Sequence, residues 1–261
     1  MLKPADASKL FPVACEDLAR LGARHDGGLV VPKSAVQRAK YLLSFGVAFD
    51  WSFEVAFFRE NPTVAIHCYD HGLNARRVAF HSLKSFFGAA LEPARFQDAF
   101  KYFSYRTFFR GRVQHHKNRV WYSHDADSVT VADAFARLGP RGEVFLKVDI
   151  EGSEYRILDD LAEFVDRIDA MAIEFHDIDI LSDQFDAAIA RIQKDFHIVH
   201  VHANNMAGLS PSGLPNELEI TFLNRRLFDR EPPPSTFRYP VEGLDAKNDP
   251  ILPDLKLHFG E

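Results

Sequence analysis

Two carboxylates, Asp149 and Glu151, follow a short apolar segment in the middle of the chain. The preceding residues 144–148 are too few for a buried helix and lead into acids and a glycine, so they predict a buried strand that ends in a turn. In open α/β sheets, ligands bind at the carboxyl ends of the strands. The pair is therefore predicted to lie where a proton can be accepted or a cation bound, and a purely structural turn would not require both acids.

A second polar group, Glu174 and His176, ends the next predicted strand. If the two strands are neighbours, these side chains and Asp149 surround one cleft. Asp149, Glu174 and His176 could then hold a divalent cation such as Mg²⁺. Alternatively, His176 is a general base that Glu174 orients. The structural alternative is an ion-pair cluster with Lys147 or Arg156.

An earlier strand-to-helix turn begins with Gly46, and a glycine there lets a ligand approach the backbone closely. The phosphate-binding patterns G-x-G-x-x-G and G-x-x-x-x-G-K are absent, which disfavours a pyrophosphate but leaves a small nucleoside ligand open. Asp70 ends the following strand, where a carboxylate can accept hydrogen bonds from both ribose hydroxyls. The structural alternatives are an ordinary turn at Gly46 and a helix-dipole charge at Asp70.

Two other polar groups are less specific. His124 and Asp125 precede a predicted helix, where they could meet the edge of an adenine. The alternative is that this segment only caps the helix, through Asp127 or Ser128. His200 and His202 lie on one face of a late strand, because side chains alternate along a strand. A zinc site needs three or four ligands and no C-x-x-C accompanies these two, so we predict a substrate-facing or solvated role.

Alternating strands and helices must position these groups. Apolar runs predict strands at 40–45, 64–69, 118–122, 143–149, 170–175, 197–202 and 218–223. The alternation with helices predicts a mostly parallel sheet with helices on both faces. The last two strands have no helix between them, so they predict a C-terminal antiparallel hairpin.

Three parts are predicted along the chain. Residues 1–39 form an N-terminal helix, over 13–22, and a short strand that pack on the core. Residues 40–228 form the main domain, with a helical aromatic-rich insertion near 74–112. Residues 229–261 form a proline-rich tail.

The insertion carries regularly spaced aromatic residues. Phe80, Leu83 and Phe87 share one helix face, and Phe96, Phe100 and Phe103 repeat the spacing. The segment 101–119 also interleaves basic and aromatic residues, as do proteins that bind single-stranded nucleic acid or sugars. The alternatives are a helix with a phenylalanine core face and a lid that meets an anionic substrate.

Composition narrows the class of protein. The chain has 261 residues, a net charge of −6 and a pI near 6.1, which argues against general nucleic-acid binding. Only Cys15 and Cys68 are present, so a disulfide framework is not expected. We find neither a signal-peptide pattern nor the ~18 apolar residues of a membrane span. The expectation is a cytoplasmic protein, with the 96–109 region as a candidate interface of a homo-oligomer.

The segment 146–154, Leu-Lys-Val-Asp-Ile-Glu-Gly-Ser-Glu, resembles the hallmark K-[IV]-D-[IV]-E-G-x-E of the FkbM-like S-adenosylmethionine-dependent methyltransferases. Residues 26–32 and 43–54 are similar to a subgroup of that family, and the resemblance spans residues 24–224. It implies a class I methyltransferase fold, which is a Rossmann-like, seven-stranded sheet. It also implies S-adenosylmethionine bound across the carboxyl ends of the first strands.

The resemblance further implies roles for single residues. Gly46 and its neighbours would lie against the methionine part of the cofactor, Asp70 would hold the ribose, and Asp149 would lie near the transferred methyl. The implied cofactor-binding set is Phe45, Gly46, Val47, Asp50, Glu54, Asp70, His71, His124, Asp125 and Asp149. The catalytic set is Asp149, His176 and Glu174. Ala48 and Phe49 replace a second glycine that the family carries in this first motif.

The activity that the resemblance implies is O-methylation of a hydroxyl on a sugar, a glycan or a polyketide-like small molecule. One alternative is a methyltransferase-like binding protein without catalysis, which the altered glycine motif motivates. Another is a nicotinamide oxidoreductase, which the missing G-x-G-x-x-G disfavours.

Overall fold

A computed structural model describes residues 5–88, 96–210 and 213–259, so parts of the predicted insertion and tail, at 89–95 and 260–261, fall outside it. The strands are β1 (Ala5–Asp6), β2 (Leu18–Leu21), β3 (Leu29–Pro32), β4 (Tyr41–Phe45), β5 (Ala65–Tyr69), β6 (Val113–His116), β7 (Arg119–Val120), β8 (Ser128–Val129), β9 (Val144–Val148), β10 (Ile168–Phe175), β11 (Phe196–Ala203), β12 (Leu218–Asn224) and β13 (Leu257–His258). The α-helices are α1 (Lys33–Arg38), α2 (Ser52–Glu60), α3 (Ala75–Gly88), α4 (Phe96–Ala99), α5 (Lys101–Phe108), α6 (Val131–Ala136), α7 (Leu158–Leu161) and α8 (Ser182–Ile192). Short 3₁₀ helices are Ser8–Leu10, Glu154–Arg156, Ala162–Arg167 and Arg225–Leu227. Among these helices, none combines the length and the apolar character needed to cross a bilayer.

The central sheet has seven strands in the order β11-β12-β10-β9-β4-β5-β6. The strands from β10 to β6 are parallel, and β12 runs antiparallel to both β10 and β11. The predicted fold class, a mostly parallel α/β sheet with a C-terminal antiparallel hairpin, is confirmed. The carboxyl ends of β4, β5, β9 and β10 consequently meet along one edge.

Helices cover both faces of the sheet. Successive side chains of a strand point to opposite faces, so an apolar strand presents apolar side chains to the helices on each side. Phe145 and Leu146 are both fully buried, and they belong to separate hydrophobic clusters. On one face the Phe57 ring of α2 packs edge-on against Phe145, with centroids 5.1 Å apart. On the other face Phe185 of α8 packs against Phe175 of β10. These two layers keep the strand ends rigid.

The predicted helix over 13–22 is wrong. Residues Leu18–Leu21 form β2, which pairs antiparallel with β3. The hairpin turns at Gly22, whose φ is +98° and where a Cβ would lie 2.6 Å from the Gly27 carbonyl oxygen. Two leucines three residues apart also fit a helix, but partner strand β3 decides the conformation here.

The predictions for 101–119 are also corrected. Helix α5 ends at Phe108, and Val113–His116 then forms β6, the edge strand beside β5. The predicted strand at 118–122 is only β7, which pairs with β8 outside the central sheet. The sequence Val-Gln-His-His carries too few apolar residues to be recognised as a sheet strand.

The C-terminal segment is held by two buried histidines of β11, so their predicted substrate-facing or solvated role is wrong. His200 is 2% exposed and lies 3.2 Å from the Asp245 carboxylate. His202 is 1% exposed, with Nδ1 3.3 Å from Glu219 of β12 and Nε2 3.5 Å from Asp254. Burial lowers the pKa of His202, but the hydrogen bonds to Asp254 and Glu219 and the charges of Glu219 and Asp245 outweigh burial and raise it to about 10.

Stability should therefore fall at alkaline pH through His202. Its pKa is 6.5 in an unfolded chain and about 10 in the fold, so the stabilisation is complete below pH 6.5 and is lost as the pH rises towards 10. We expect His202→Gln to remove on the order of 2 kcal/mol of this pH-dependent stability. Urea denaturation of both proteins at neutral and alkaline pH measures it. The two proteins share every other titrating group. If their free energies of unfolding changed equally with pH, the assignment of this effect to His202 would be contradicted.

Candidate functional site

A cavity of about 400 Å³ lies at the carboxyl ends of β4, β5 and β9. The chain order reverses at β4, since β5 lies on one side of it and the much later β9 on the other. Open α/β sheets bind ligands at such switch points. We call this the strand-end cavity, and it is lined by Gly46, Val47, Ala48, Phe49, Tyr69, Asp70, His71, Gly72, Leu73, Arg77, Arg119, Val120, Trp121, Asp149, Ile150, Glu151 and Ser153. Another cavity, of about 450 Å³ and mostly apolar, lies between α7 and α8, away from all the predicted site residues.

Gly46 is required where the cavity meets the sheet. Its φ is +79°, and a Cβ would lie 1.6 Å from the carbonyl oxygen of Asp149. The backbone is fixed on both sides, because Gly46 N donates to Tyr69 O (3.0 Å) and Asp149 N donates to Phe45 O (2.9 Å). The two strand ends therefore approach as closely as a residue without a side chain allows.

Asp70 organises the loops around the cavity. One carboxylate oxygen accepts from the backbone N–H groups of Val47 (3.0 Å) and Ala48 (2.7 Å), and the other accepts from those of Gly72 (2.7 Å) and Leu73 (2.8 Å). Burial raises the pKa of Asp70, but these four hydrogen bonds outweigh burial and lower it. Four bonds use the acceptor capacity of a carboxylate, so a ribose hydroxyl would have to exchange with one of them.

Ala48, which stands where the resemblance would place a second glycine, has a left-handed conformation with φ +48°. Glycine adopts that region freely, whereas a residue with a Cβ is strained there. The hydrogen bond from Ala48 N to Asp70 holds the strained residue in place. The backbone of this turn therefore has a conformation typical of glycine, although residue 48 is an alanine.

The acidic turn after β9 is built around Glu154. This side chain is fully buried, and its Oε1 accepts from Ile150 N (3.0 Å), Gly152 N (3.2 Å) and His176 Nδ1 (3.1 Å). Glu151 and Gly152 both have positive φ, +55° and +85°. The conformation turns the Glu151 side chain outwards, where it is 86% exposed. The resemblance motif therefore contains a structural carboxylate, Glu154, and two at the cavity, Asp149 and Glu151.

A buried cation lies directly beneath Asp149. Lys147 is 5% exposed, and its Nζ donates to Gly46 O (2.8 Å) and to Asp149 Oδ2 (3.3 Å). Burial lowers the pKa of Lys147, but the charges of Asp149 and Glu54 raise it further than burial lowers it. Lys147 thus stays charged and fixes Asp149 at the cavity wall.

His176 lies among carboxylates, and this changes its chemistry. Its Nε2 is 4.0 Å from Asp149 Oδ1 and 3.7 Å from Glu151 Oε2. Burial lowers the pKa of His176, but the hydrogen bond to Glu154 and the charges of Glu154, Glu174 and Asp149 raise it to about 10. This arrangement favours the protonated form of the imidazole. The general-base role of His176 stays a prediction.

Glu174 is turned away from the strand-end cavity. It accepts a hydrogen bond from Asn204 Nδ2 (2.9 Å), and burial with the nearby charges of Asp149 and Glu219 raises its pKa well above the usual range. His176 Nδ1 forms its hydrogen bond with Glu154 and not with Glu174.

The predicted cation ligands Asp149, Glu174 and His176 do not form one group. Asp149 and His176 come together with Glu151, while Glu174 comes together with His176 and Glu217. Carboxylates at the surface form clusters of this kind in many proteins that bind no ion. A divalent cation at Asp149, Glu174 and His176 therefore stays a prediction.

Several residues predicted to bind the cofactor lie outside the strand-end cavity. Phe45 is fully buried against Tyr69, and Glu54 is fully buried and accepts from Ser44 Oγ (2.6 Å). Asp50 accepts from Ser52 N at the start of α2 and faces the loop at Gly27.

His124 and Asp125 also lie off the cavity. His124 Nδ1 is 3.1 Å from Asp133, the residue that completes the capping box of α6. Asp125 reaches the cavity only through a 3.4 Å ion pair with Arg119. Of the predicted set, Gly46, Val47, Asp70, His71 and Asp149 line the cavity.

Trp121, Arg119 and Arg77 are lining residues that the sequence did not assign to this site. Trp121 packs beneath the Arg119 guanidinium, which lies 4.9 Å from the ring centroid, and Arg77 reaches the cavity from α3. Trp121 is one of two tryptophans in the chain and lies within the predicted strand 118–122, which was an available signal. The two arginines carry no local signal, because only the fold brings them to this edge.

Comparisons with known proteins bear on the fold alone. No protein-family model matches the chain, and no curated protein sequence is similar to it. Fibrillarin in a fibrillarin/Nop5p complex aligns with 12% identity over 71% of this chain and 73% of its own, with a TM-score of 0.40. Precorrin-6y C5,15-methyltransferase from Geobacter metallireducens aligns with 11% identity over 74% and 86%, at a TM-score of 0.37. Methyltransferase FkbM from Methylobacillus flagellatus aligns with 14% identity over 70% of this chain and 44% of its own, at a TM-score of 0.43. Likeness at this level carries no argument about activity.

Proposed function

We propose that the protein is an S-adenosylmethionine-dependent methyltransferase, and that it transfers the methyl group to a hydroxyl of a sugar, a glycan or a polyketide-like small molecule. The observation that carries the proposal is the strand-end cavity. It lies at the switch point of a seven-stranded, mostly parallel sheet, and the 146–154 motif forms its acidic wall. The motif that resembles the methyltransferase family therefore lines the cavity where this sheet is expected to bind its ligand.

The chemistry of the lining residues fits the parts of this cofactor. The volume of about 400 Å³ is in the range of small-molecule sites. Trp121 offers an aromatic face to a purine, and the cationic Arg77 and Arg119 can meet a carboxylate. Asp149 and Glu151 supply negative charge for a sulfonium and an ammonium group.

The proposed reaction needs alignment and one proton acceptor. S-adenosylmethionine supplies an electrophilic methyl group on a sulfonium. A bond forms between the acceptor oxygen and the methyl carbon as the carbon–sulfur bond breaks, and the hydroxyl proton passes to the Asp149 carboxylate. Positioning supplies much of the rate in such an in-line displacement. Lys147 donates a hydrogen bond to Asp149, and His176 Nε2 lies 4.0 Å from the same carboxylate.

Turnover in the presence of candidate acceptors tests the proposal. The purified chain is incubated with S-adenosylmethionine and a panel of sugars, glycans and polyketide-like alcohols, with Mg²⁺ or with EDTA, and S-adenosylhomocysteine is quantified against reactions without acceptor. We expect acceptor-dependent S-adenosylhomocysteine together with an equal amount of methylated product. Tight cofactor binding without turnover on any hydroxyl would favour the alternative, a binding protein that has lost catalysis.

A further inference from the structure

The helical insertion beside the strand-end cavity exposes its aromatic residues. We call residues 75–88 and 98–112 the aromatic lobe. Phe80, Phe87 and Phe103 are 71%, 70% and 70% exposed. On α3 the inward side instead carries Val78, Ser82 and Ser85, which are buried. The predicted shared face of Phe80, Leu83 and Phe87 exists, but it points to solvent.

Several large apolar side chains exposed on one helix mark a binding surface in soluble proteins. Helices α3 and α5 pack against each other, because Ser82 Oγ of α3 accepts from Tyr102 N at the start of α5 (2.8 Å). Phe100, at 55% exposed, and Leu83, at 56%, extend the apolar area. The face is therefore an interaction surface whose partner must supply apolar contact.

The charge of this region is opposite to that of the rest of the chain. The aromatic lobe, residues 75–88 and 98–112, contains seven Lys and Arg and one Asp, a net charge of +6. The whole chain carries −6, so the remaining residues carry −12. A basic surface with protruding Phe side chains is complementary to an anionic surface with an apolar interior.

A cationic cavity accompanies the exposed Phe side chains. It has a volume of about 470 Å³, and Arg106, Arg110 and Lys117 line it together with Tyr105, Phe109 and His115. Within the described residues, none of the three cations is in an ion pair. Guanidinium groups bind phosphate oxygens through paired hydrogen bonds, so this cavity suits a phosphate headgroup.

The geometry points to an anionic phospholipid bilayer as the partner: we propose that the aromatic lobe docks peripherally on it, with Phe80, Phe87 and Phe103 inserted among the acyl chains and the cationic cavity holding a lipid phosphate. Single-stranded nucleic acid fits less well, because its bases stack in grooves and these Phe side chains protrude from helices. The docked face adjoins the strand-end cavity, since Phe49 of the cavity packs on His81 of α3 at 5.2 Å. A membrane-borne acceptor would thus arrive beside the proposed site.

Vesicle sedimentation with the full chain tests the docking. One set of vesicles contains phosphatidylcholine alone, and the other also contains phosphatidylglycerol. We expect binding only to the second set, weakened by added salt and reduced at least about tenfold both in Phe80→Ser/Phe87→Ser and in Arg106→Glu/Arg110→Glu. The control variants Ile180→Ser, which changes a 74% exposed residue outside the lobe, and Arg230→Glu should bind like the unmodified chain.

Three outcomes would overturn the proposal. The first is no binding to phosphatidylglycerol vesicles at low salt, and the second is equal binding by the lobe variants. The third is a dimer, seen by light scattering, that Phe80→Ser/Phe87→Ser dissociates while vesicles are not bound, which would make the lobe an interface between copies. Circular dichroism confirms that each variant is folded. The assay needs no methyl transfer, so its outcome is independent of the proposed activity.

Discussion

Replacing Gly46 with alanine is expected to destabilise the protein by about 4 kcal/mol and to abolish binding of S-adenosylmethionine. The added Cβ would lie 1.6 Å from the Asp149 carbonyl oxygen, and φ at this position is +79°. Neither strand end can withdraw without breaking the hydrogen bonds from Gly46 to Tyr69 and from Asp149 to Phe45. Urea denaturation measures the stability, and calorimetric titration measures the binding.

Gly243→Ala is the matched control for backbone strain. Gly243 has a φ of +83°, but a Cβ there would have nothing within 4 Å. We expect this change to cost only about 1 kcal/mol, the strain of a left-handed alanine, and to leave cofactor binding unchanged. Equal losses of stability in the two variants would show that the close approach at Asp149 does not matter.

Asp149→Asn is expected to reduce turnover by about 10²- to 10⁴-fold, the range that a positioned proton acceptor contributes. The amide keeps the shape of the side chain and its contact with Lys147, but it cannot take the hydroxyl proton. Affinity for S-adenosylmethionine should fall by less than turnover does, because Glu151 keeps a negative charge at the same cavity wall. Formation of S-adenosylhomocysteine at saturating acceptor, with calorimetric binding alongside, separates the two effects.

Glu151→Gln is the control for Asp149→Asn, because Glu151 belongs to the same acidic turn but its side chain is 86% exposed. It should retain turnover within about tenfold. If both variants turned over at the rate of the unmodified chain, Asp149 would not be the proton acceptor. The base would then have to be sought among the other lining residues.

The central sheet was predictable because its strands are buried on both faces. Residues 144–146 and 170–173 are apolar throughout, and such short continuous runs favour buried strands over amphipathic helices. The elements at the periphery were harder to predict. Residues 18–21 pair with a partner eight residues beyond their end, and 113–116 pair only along one edge, so neither pattern is visible locally.

The site was predicted in position but not in the roles of its residues. Gly46, Asp70 and Asp149 reach the cavity because the ends of neighbouring parallel strands must meet. The raised pKa of His176 could not be predicted, since it depends on Glu154, 22 residues earlier, and on the charges of Glu174 and Asp149. The burial of His200 and His202 likewise depends on a tail that contributes Asp245 and Asp254 from far along the chain.

Calorimetric titration of the purified chain with S-adenosylmethionine and S-adenosylhomocysteine tests the central claim most directly. The account predicts saturable one-to-one binding with a Kd of about 1–100 μM, weakened at least about tenfold in Trp121→Ala. Tyr122→Ala, which changes a 55% exposed neighbour outside the cavity lining, should bind like the unmodified chain. Absence of binding to both ligands by the folded, unmodified protein would contradict the claim that the strand-end cavity is a methyltransferase cofactor site.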